Sequence, residues 1–267
     1  MNLCDIDNIV VAGKSGAGKQ PRIDVLVAEG GLRQLSTGNI FREYLGAYNK
    51  LGFEGRPDDF RDGDGFVADE RILAALKALC ESAGVDPAAA LLGFKAACFV
   101  NEGRFVPDSL TNELFAAAFK RASGRKLALD GYPRTPAQAR YLLELAAEVG
   151  TRIDLVLLVE NDDEAIVART VGRRICSSCG KVYHLEYKPP RDGRRCTACE
   201  AEVIQRSDDT EAKIRKRLEE FQTKARPALE VLERAGVPVA RVAGNLPVFT
   251  EEAVRHSVLA ALEEGWR

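Results

Sequence analysis

Two groups of residues have the types and spacing to do chemistry. The first is a glycine-rich turn, Gly13-Lys14-Ser15-Gly16-Ala17-Gly18-Lys19. Glycines at this spacing permit positive φ angles and close approach to a ligand. Successive backbone N–H groups followed by a lysine suit the β- and γ-phosphates of a nucleotide. The bland alternative is an unoccupied turn, but an apolar run before it and a helical pattern after it make strand, P-loop and helix the better reading. The next residues depart from the pattern. Gln20 stands where a Ser or Thr hydroxyl would ligate magnesium, and Pro21 has no N–H for a phosphate, although proline is well tolerated in the first turn of a helix.

The second group is Cys176-x2-Cys179 and Cys196-x2-Cys199, the spacing of a closed tetrahedral zinc site on two knuckles. Two disulfides are the alternative, and a redox pair is disfavoured because neither C-x-x-C lies at a strand-to-helix start. The surrounding block is poor in apolar residues, so a structural metal would outweigh its own packing. His184 reads as a packing or hydrogen-bonding residue of this block, and Cys4, Cys80 and Cys98 as apolar fillers.

The elements that must position these groups follow from the rest of the chain. At 267 residues, 46% hydrophobic and 29% charged, it reads as one core with inserted pieces. A net charge of −2 argues against a general nucleic-acid binder. The N-terminal residues carry no basic segment or long apolar stretch, so neither a signal peptide nor a membrane span is expected, and the cysteine usage points to the reducing cytoplasm. Apolar runs at 8–12, 126–129, 153–159 and 237–242 alternate with helical patterns at 21–29, 137–149 and 209–235. That alternation predicts an α/β fold, a parallel sheet of P-loop NTPase type with helices on both faces. Residues 46–100 and the cysteine block 169–205 do not fit it and read as insertions.

The order of these motifs resembles the adenylate kinase family from residue 8 to about 248, apart from 46–100. Five blocks carry the resemblance. They are the glycine-rich turn, Leu35-Ser36-Thr37-Gly38-Asn39-Ile40-Phe41-Arg42, Gly103-Arg104-Phe105-Val106-Pro107-Asp108, Leu129-Asp130-Gly131-Tyr132-Pro133-Arg134-Thr135 with Gln138, and a lid block. The last joins Arg169, Gly172-Arg173-Arg174, Val182-Tyr183-His184, Gln205-Arg206-Ser207-Asp208-Asp209 and Arg217. Where the family usually has Gly-Thr and Asp, this chain has Gln20-Pro21 and Asn39.

The resemblance implies reversible phosphoryl transfer from MgATP to AMP, giving two ADP. ATP would be held by Gly13, Ser15, Gly16, Ala17, Gly18, Lys19, Gln20, Pro21, Arg169, Arg173, Val182, Tyr183 and Leu246. AMP would meet Thr37, Gly38, Arg42, Arg104, Phe105, Val106, Gly131, Tyr132, Arg134, Gln138, Arg206 and Arg217. Asp130, at the end of an apolar run, can hold magnesium through water, Arg134 suits a bidentate grip on a phosphate, and the Gln138 amide can read an adenine edge. Lys19, Arg134, Arg173, Arg206 and Arg217 would supply the converging positive charge that phosphoryl transfer requires, and a lid would exclude water.

The implied organisation is a core over 1–36, 109–168 and 208–267, an AMP-binding segment over 37–108 and a zinc-knuckle lid over 169–207. Two alternatives stay open, a monophosphate kinase of other or relaxed base choice and a non-catalytic ATP-binding zinc-ribbon protein. Within the insertion, 53–70 reads as an acidic loop in which Asp62 and Asp64 lack the remaining ligands of a calcium loop. Residues 69–82 and 87–99 read as a helical hairpin. The insertion could pack on the AMP-binding segment or join subunits, the monomer being the default.

Overall fold

The computed structural model describes residues 5–63, 65–102, 104–186, 188–205 and 209–265. Cys4, Asp64, Gly103, Arg206, Ser207 and Asp208, all part of the sequence reading, lie outside the described residues. The chain runs β1 (Asn8–Gly13), α1 (Lys19–Gly30), β2 (Arg33–Ser36), α2 (Thr37–Asn49), β3 (Arg61–Asp62), β4 (Gly65–Phe66), α3 (Asp69–Ala83) and α4 (Pro87–Val100). It continues through α5 (Asp108–Arg121), β5 (Leu127–Asp130), α6 (Pro136–Glu148), β6 (Leu155–Glu160), α7 (Asp163–Val171), β7 (Arg173–Cys176), β8 (Val182–His184) and β9 (Val203–Ile204). Last come α8 (Glu211–Glu220), α9 (Arg226–Arg234), β10 (Val239–Ala243) and α10 (Glu251–Gly265).

Five parallel strands form the central sheet in the order β10-β6-β1-β5-β2. Side chains alternate across it. Ile9 and Val11 pack with Ile23 and Leu26 of α1 and with Val254 and Val258 of α10. Val10, opposite Leu129 and Val156, packs with Leu114 and Phe115 of α5, Leu142 of α6 and Leu232 of α9. Burial on both faces explains why these strands read as continuous apolar runs, as the α/β expectation requires. Because β1 lies between β5 and β6, the crevice at its carboxyl end is the natural ligand site of such a sheet.

Sequence reasoning missed β2, whose four residues begin with Arg33 and Gln34 and carry little apolar signal. It pairs Ser36 with Asp130, which sets Thr37 beside the end of β5. The helical pattern at 209–235 is divided by a π-turn at Phe221–Ala225. Pro227, at the start of α9, has no N–H to continue the ladder, and the shift in hydrogen bonding accommodates it.

The insertion is helical as expected, but α3 and α4 meet at a bend of 118° and are not a tight antiparallel pair. The acidic loop carries a short 3-10 turn (Pro57–Phe60) and the β3–β4 hairpin. Its phenylalanines supply a core of their own, with Phe53, Phe60 and Phe66 edge-on to Phe94 at 5.5–6.3 Å between centroids. No single helix among the described residues is long and apolar enough to cross a membrane.

Helix α4 lies directly on α2, so close that a Cβ on Gly93 would collide with the Tyr44 carbonyl oxygen. Gly93→Val should therefore cost about 1–3 kcal/mol in urea denaturation, through overpacking against backbone. An unchanged midpoint would contradict that packing.

Candidate functional site

The glycine-rich turn leaves β1 through Gly13, whose φ of 144° and approach to Val159 leave no room for a side chain: a Cβ would stand 2.5 Å from the Val159 carbonyl oxygen. Gly16 and Gly18 also have positive φ, and Ala17 N–H closes the turn on Lys14 O at 3.0 Å. Lys19 opens α1 and donates to the carbonyl oxygens of Gly13 (2.9 Å) and Lys14 (3.2 Å). Gln20 and Pro21 lie in the first turn of α1. The Gln20 carboxamide forms a reciprocal pair with that of Gln34, 3.1 Å each way, and Gln34 donates onward to Asp130 Oδ2 at 3.2 Å.

Lys14 of the loop is paired with Asp163, whereas three arginines near it share another property. Arg169 donates to the Gly16 carbonyl oxygen, Arg134 Nε to Gly131 O at 2.9 Å, and Arg22 to Gly18 O at 3.2 Å and Ala243 O at 2.6 Å. Neutral oxygens fix their geometry without neutralising their charge. Surface arginines behave differently: Arg215 is held by Glu164 and Glu211, Arg241 by Glu160 and Arg255 by Glu29. Burial pushes the Lys19 ammonium below its ordinary pKa, against the pull of Asp130, and Arg134 lowers it further. Arg134 is an exposed residue whose guanidinium nevertheless has protein close around it. Lost hydration lowers its pKa, Asp130 opposes that, and Arg217 adds to it. Lys19, Asp130, Arg134 and Arg217 thus act on one another across the ends of β1 and β5.

Among the expected AMP residues, Thr37 donates to the Asp130 carbonyl oxygen at 3.2 Å, and Gly38 lies against the Arg42 guanidinium, which is itself held by Asn39 Oδ1. Arg104 pairs with Glu102 at 2.9 Å, Phe105 is 73% exposed with Lys224 over its ring, and Val106 packs on the core. Gly131 has a φ of 78°. Tyr132 is a core residue, stacked on Phe115 at 3.9 Å with its hydroxyl donating to Asn112 at 2.6 Å. Gln138 is buried, its Nε2 donating to Asp108 Oδ1 at 2.7 Å and its Oε1 accepting from Arg134 N at 2.8 Å. Arg206 lies outside the described residues. Leu246 packs at the edge of the core, next to Gly244, where a Cβ would collide with the Ala17 carbonyl oxygen.

The cysteine block folds as the antiparallel sheet β8-β7-β9. Its two chain ends are tied by Arg173, which donates to both oxygens of the fully buried Asp209 at 2.9 and 2.5 Å. The four thiol sulfurs lie within 4.8 Å of one another, with Cys176–Cys199 at 3.4 Å and Cys179–Cys196 at 3.6 Å. All four are free thiols, which removes the disulfide alternative. Sulfurs bound tetrahedrally at about 2.3 Å would sit about 3.8 Å apart, so the cluster fits a metal ion such as zinc. Backbone N–H groups of Ser178, Cys179 and Ala198 point at Cys176 and Cys196 sulfurs, as thiolates require. Val182 is exposed, whereas Tyr183 is buried with its hydroxyl donating to Cys196 Sγ at 3.1 Å. That bond, ahead of the backbone N–H groups of Ala198 and Cys199, brings the Cys196 thiol down to about 6 against the opposing effect of burial.

Sequence reasoning overlooked Arg22, Gln34 and the anchoring role of Asp108. A basic residue among apolar positions of α1 was the available signal for Arg22. Nothing local marks the other two.

A family model described as adenylate kinase matches residues 87–237, which begins after the glycine-rich turn. Over 205 residues, 76% of each chain, the sequence is 35% identical to the adenylate kinase of Symbiobacterium thermophilum. Over the same length and shares it is 33% identical to those of Bacillus cytotoxicus and Bacillus mycoides.

Asp108 accepts from Thr135 Oγ1 at 2.6 Å as well as from Gln138, and so holds the loop that carries Arg134. Asp108→Ala should cost about 1–3 kcal/mol in chemical denaturation, because both donors lose a charged acceptor. Asp108→Asn should recover part of it. A neutral result for Asp108→Ala would show that the loop stands without this anchor.

Proposed function

We propose, from the premise that this chain belongs to the adenylate kinase family, a donor site on the glycine-rich turn and an acceptor site between β5, α2 and α5. The chain is an ATP:AMP phosphotransferase, moving a phosphoryl group reversibly from MgATP to AMP to give two ADP. The family disfavours a non-catalytic ATP-binding zinc ribbon.

One observation carries the residue assignment: Lys19, Arg134 and Arg169, at the ends of β1 and β5, are held by carbonyl oxygens and keep their charge for a polyanion. The loop N–H groups and Lys19 take the β- and γ-phosphates, with Lys19 exchanging the Gly13 and Lys14 carbonyls for phosphate oxygens. Arg169 flanks the donor. Arg134, with Arg217 and Arg42, grips the AMP phosphate. The reacting oxygens belong to the substrates, so these groups act by alignment and by stabilising charge in the transition state. Arg173, expected from the resemblance to meet ATP, is paired with Asp209 and anchors the root of the lid, and Arg206 is assigned by resemblance alone. Asp130, steadied by Gln34, is the carboxylate that meets the magnesium arriving with ATP.

The base sits between Thr37 and the 104–106 wall. For Gln138 to read adenine its amide must leave Asp108. The proposal keeps the domain division read from the sequence, in which 169–207 would close over the donor. Its structural ion is zinc and its compartment the cytoplasm.

Coupled measurement of ADP formation, with AMP, CMP, UMP and GMP offered in turn, tests this reading. AMP should be preferred by about tenfold or more in kcat/KM. Equal use of all four would contradict the base assignment, and no turnover would contradict the function.

Metal analysis should find one zinc per chain. A structural zinc stabilises on the order of 10 kcal/mol, so chelation should loosen the lid before the core melts. Metal-free protein with four thiols open to alkylation would contradict the site.

Gln20-Pro21 removes a hydroxyl and an N–H from the donor loop, each worth about 1 kcal/mol net as a neutral bond. Restoring Gly-Thr at 20 and 21 should lower KM for ATP more than it raises kcat. Unchanged KM, or lost activity, would mean that the Gln20–Gln34 pair holds the donor side in a geometry of its own.

A further inference from the structure

Arg22 is fully buried, yet among the described residues no carboxylate pairs with it and its Nε has no hydrogen-bond partner. Burying a cation in this way is costly unless something else gains from it. Its Nη1 donates to Gly18 O, the last residue of the glycine-rich turn, and its Nη2 to Ala243 O, at the end of β10. The two carbonyls belong to loops 225 residues apart in sequence that touch at Ala17 and Gly244. The half-exposed Phe249 covers the guanidinium from outside, 5.5 Å from its carbon. Arg22 and Arg169 both come within 3.5 Å of the point where a Cβ on Gly18 would stand, so two cations flank one glycine of the phosphate loop. Burial, then Arg169, lowers the Arg22 guanidinium to about 10, which leaves it charged at neutral pH.

We infer that Arg22 is a positioning residue for the donor nucleotide: it cinches the glycine-rich turn to the 243–249 loop and fixes a positive charge behind Gly18. The inference rests on the proposed donor site. It explains how a loop whose Gln20-Pro21 pair lacks a hydroxyl and an N–H keeps its shape and field. A polyphosphate bound on the other side of Gly18 supplies the negative charge that the buried guanidinium lacks, so donor binding and the cinched loop favour each other. The acceptor site, at the end of β5, shares neither carbonyl.

Arg22→Gln keeps a hydrogen-bonding head without the charge, and Arg22→Lys keeps the charge with less geometry. Arg22→Gln should raise KM for ATP by about tenfold to a hundredfold, with KM for AMP within about twofold of the parent. Arg22→Lys should recover most of the difference. Phe249→Ala, on a half-exposed ring, should give a smaller shift in the same direction and decides the matter if Arg22→Gln does not fold. Unchanged KM for ATP in a folded Arg22→Gln, or ATP and AMP constants rising together, would overturn the inference. Lys19→Ala in the same assay separates the two readings. Normal turnover there would overturn the donor site itself, whereas collapse of turnover beside an unaltered Arg22→Gln would overturn only the role of Arg22.

Discussion

Positive charges held in place by neutral oxygens are the constraint on which this molecule depends. Lys19, Arg22, Arg134 and Arg169 each bond a backbone carbonyl near the carboxyl ends of the central strands, and lost hydration first, then repulsion from a neighbouring arginine, lowers their affinity for protons. A carboxylate partner would hold them more cheaply, as it does for Arg173, but would leave less charge for a substrate. The arrangement is tolerable only in a rigid frame, because repelling groups drift apart wherever the backbone yields.

Much of the fold supplies that rigidity. β1 sits between β5 and β6, so the phosphate loop and the Asp130–Arg134 loop leave the sheet side by side. Thr37 ties α2 to the end of β5, Asp108 ties α5 to the Arg134 loop, and Gly244 lets the last loop close on Ala17. The insertion extends the same logic to the proposed acceptor side. Arg61 lies over Phe66 and Phe99 at 4.8 and 4.5 Å, and Arg104 lies over Phe99 at 5.2 Å, so the inserted aromatic core backs the wall at 104–106. The cysteine block is built on other terms, with four sulfurs at its centre and Arg173–Asp209 at its root.

What could be read from the sequence was what is encoded locally. Gly13 to Lys19, the cysteine pairs and the strand runs of β1, β5, β6 and β10 depend on residues close in sequence, and spacing alone revealed them. The parts that escaped depend on partners far along the chain. β2 is a strand because β5 lies beside it, Gly93 is a glycine because of Tyr44, and the acidic loop folds around Phe94. Tyr183 reads as a nucleotide contact by resemblance, yet its hydroxyl lies on Cys196, across a turn that sequence spacing does not resolve. Arg22 is merely a basic residue among the apolar positions of α1 until its two carbonyl partners are seen to come from opposite ends of the chain.

The central claim is that these cations are kept for phosphates and contribute little to holding the fold. The turnover of Arg134→Ala, measured together with its melting temperature, tests it most directly. Among the described residues the Arg134 side chain bonds only the Gly131 carbonyl oxygen of its own loop. Melting should therefore shift by no more than a few degrees while turnover falls by roughly three orders of magnitude or more, the scale for losing an oriented charge from a transition state. Near-normal turnover would contradict the account, and so would a fall in activity matched by a collapse of the fold.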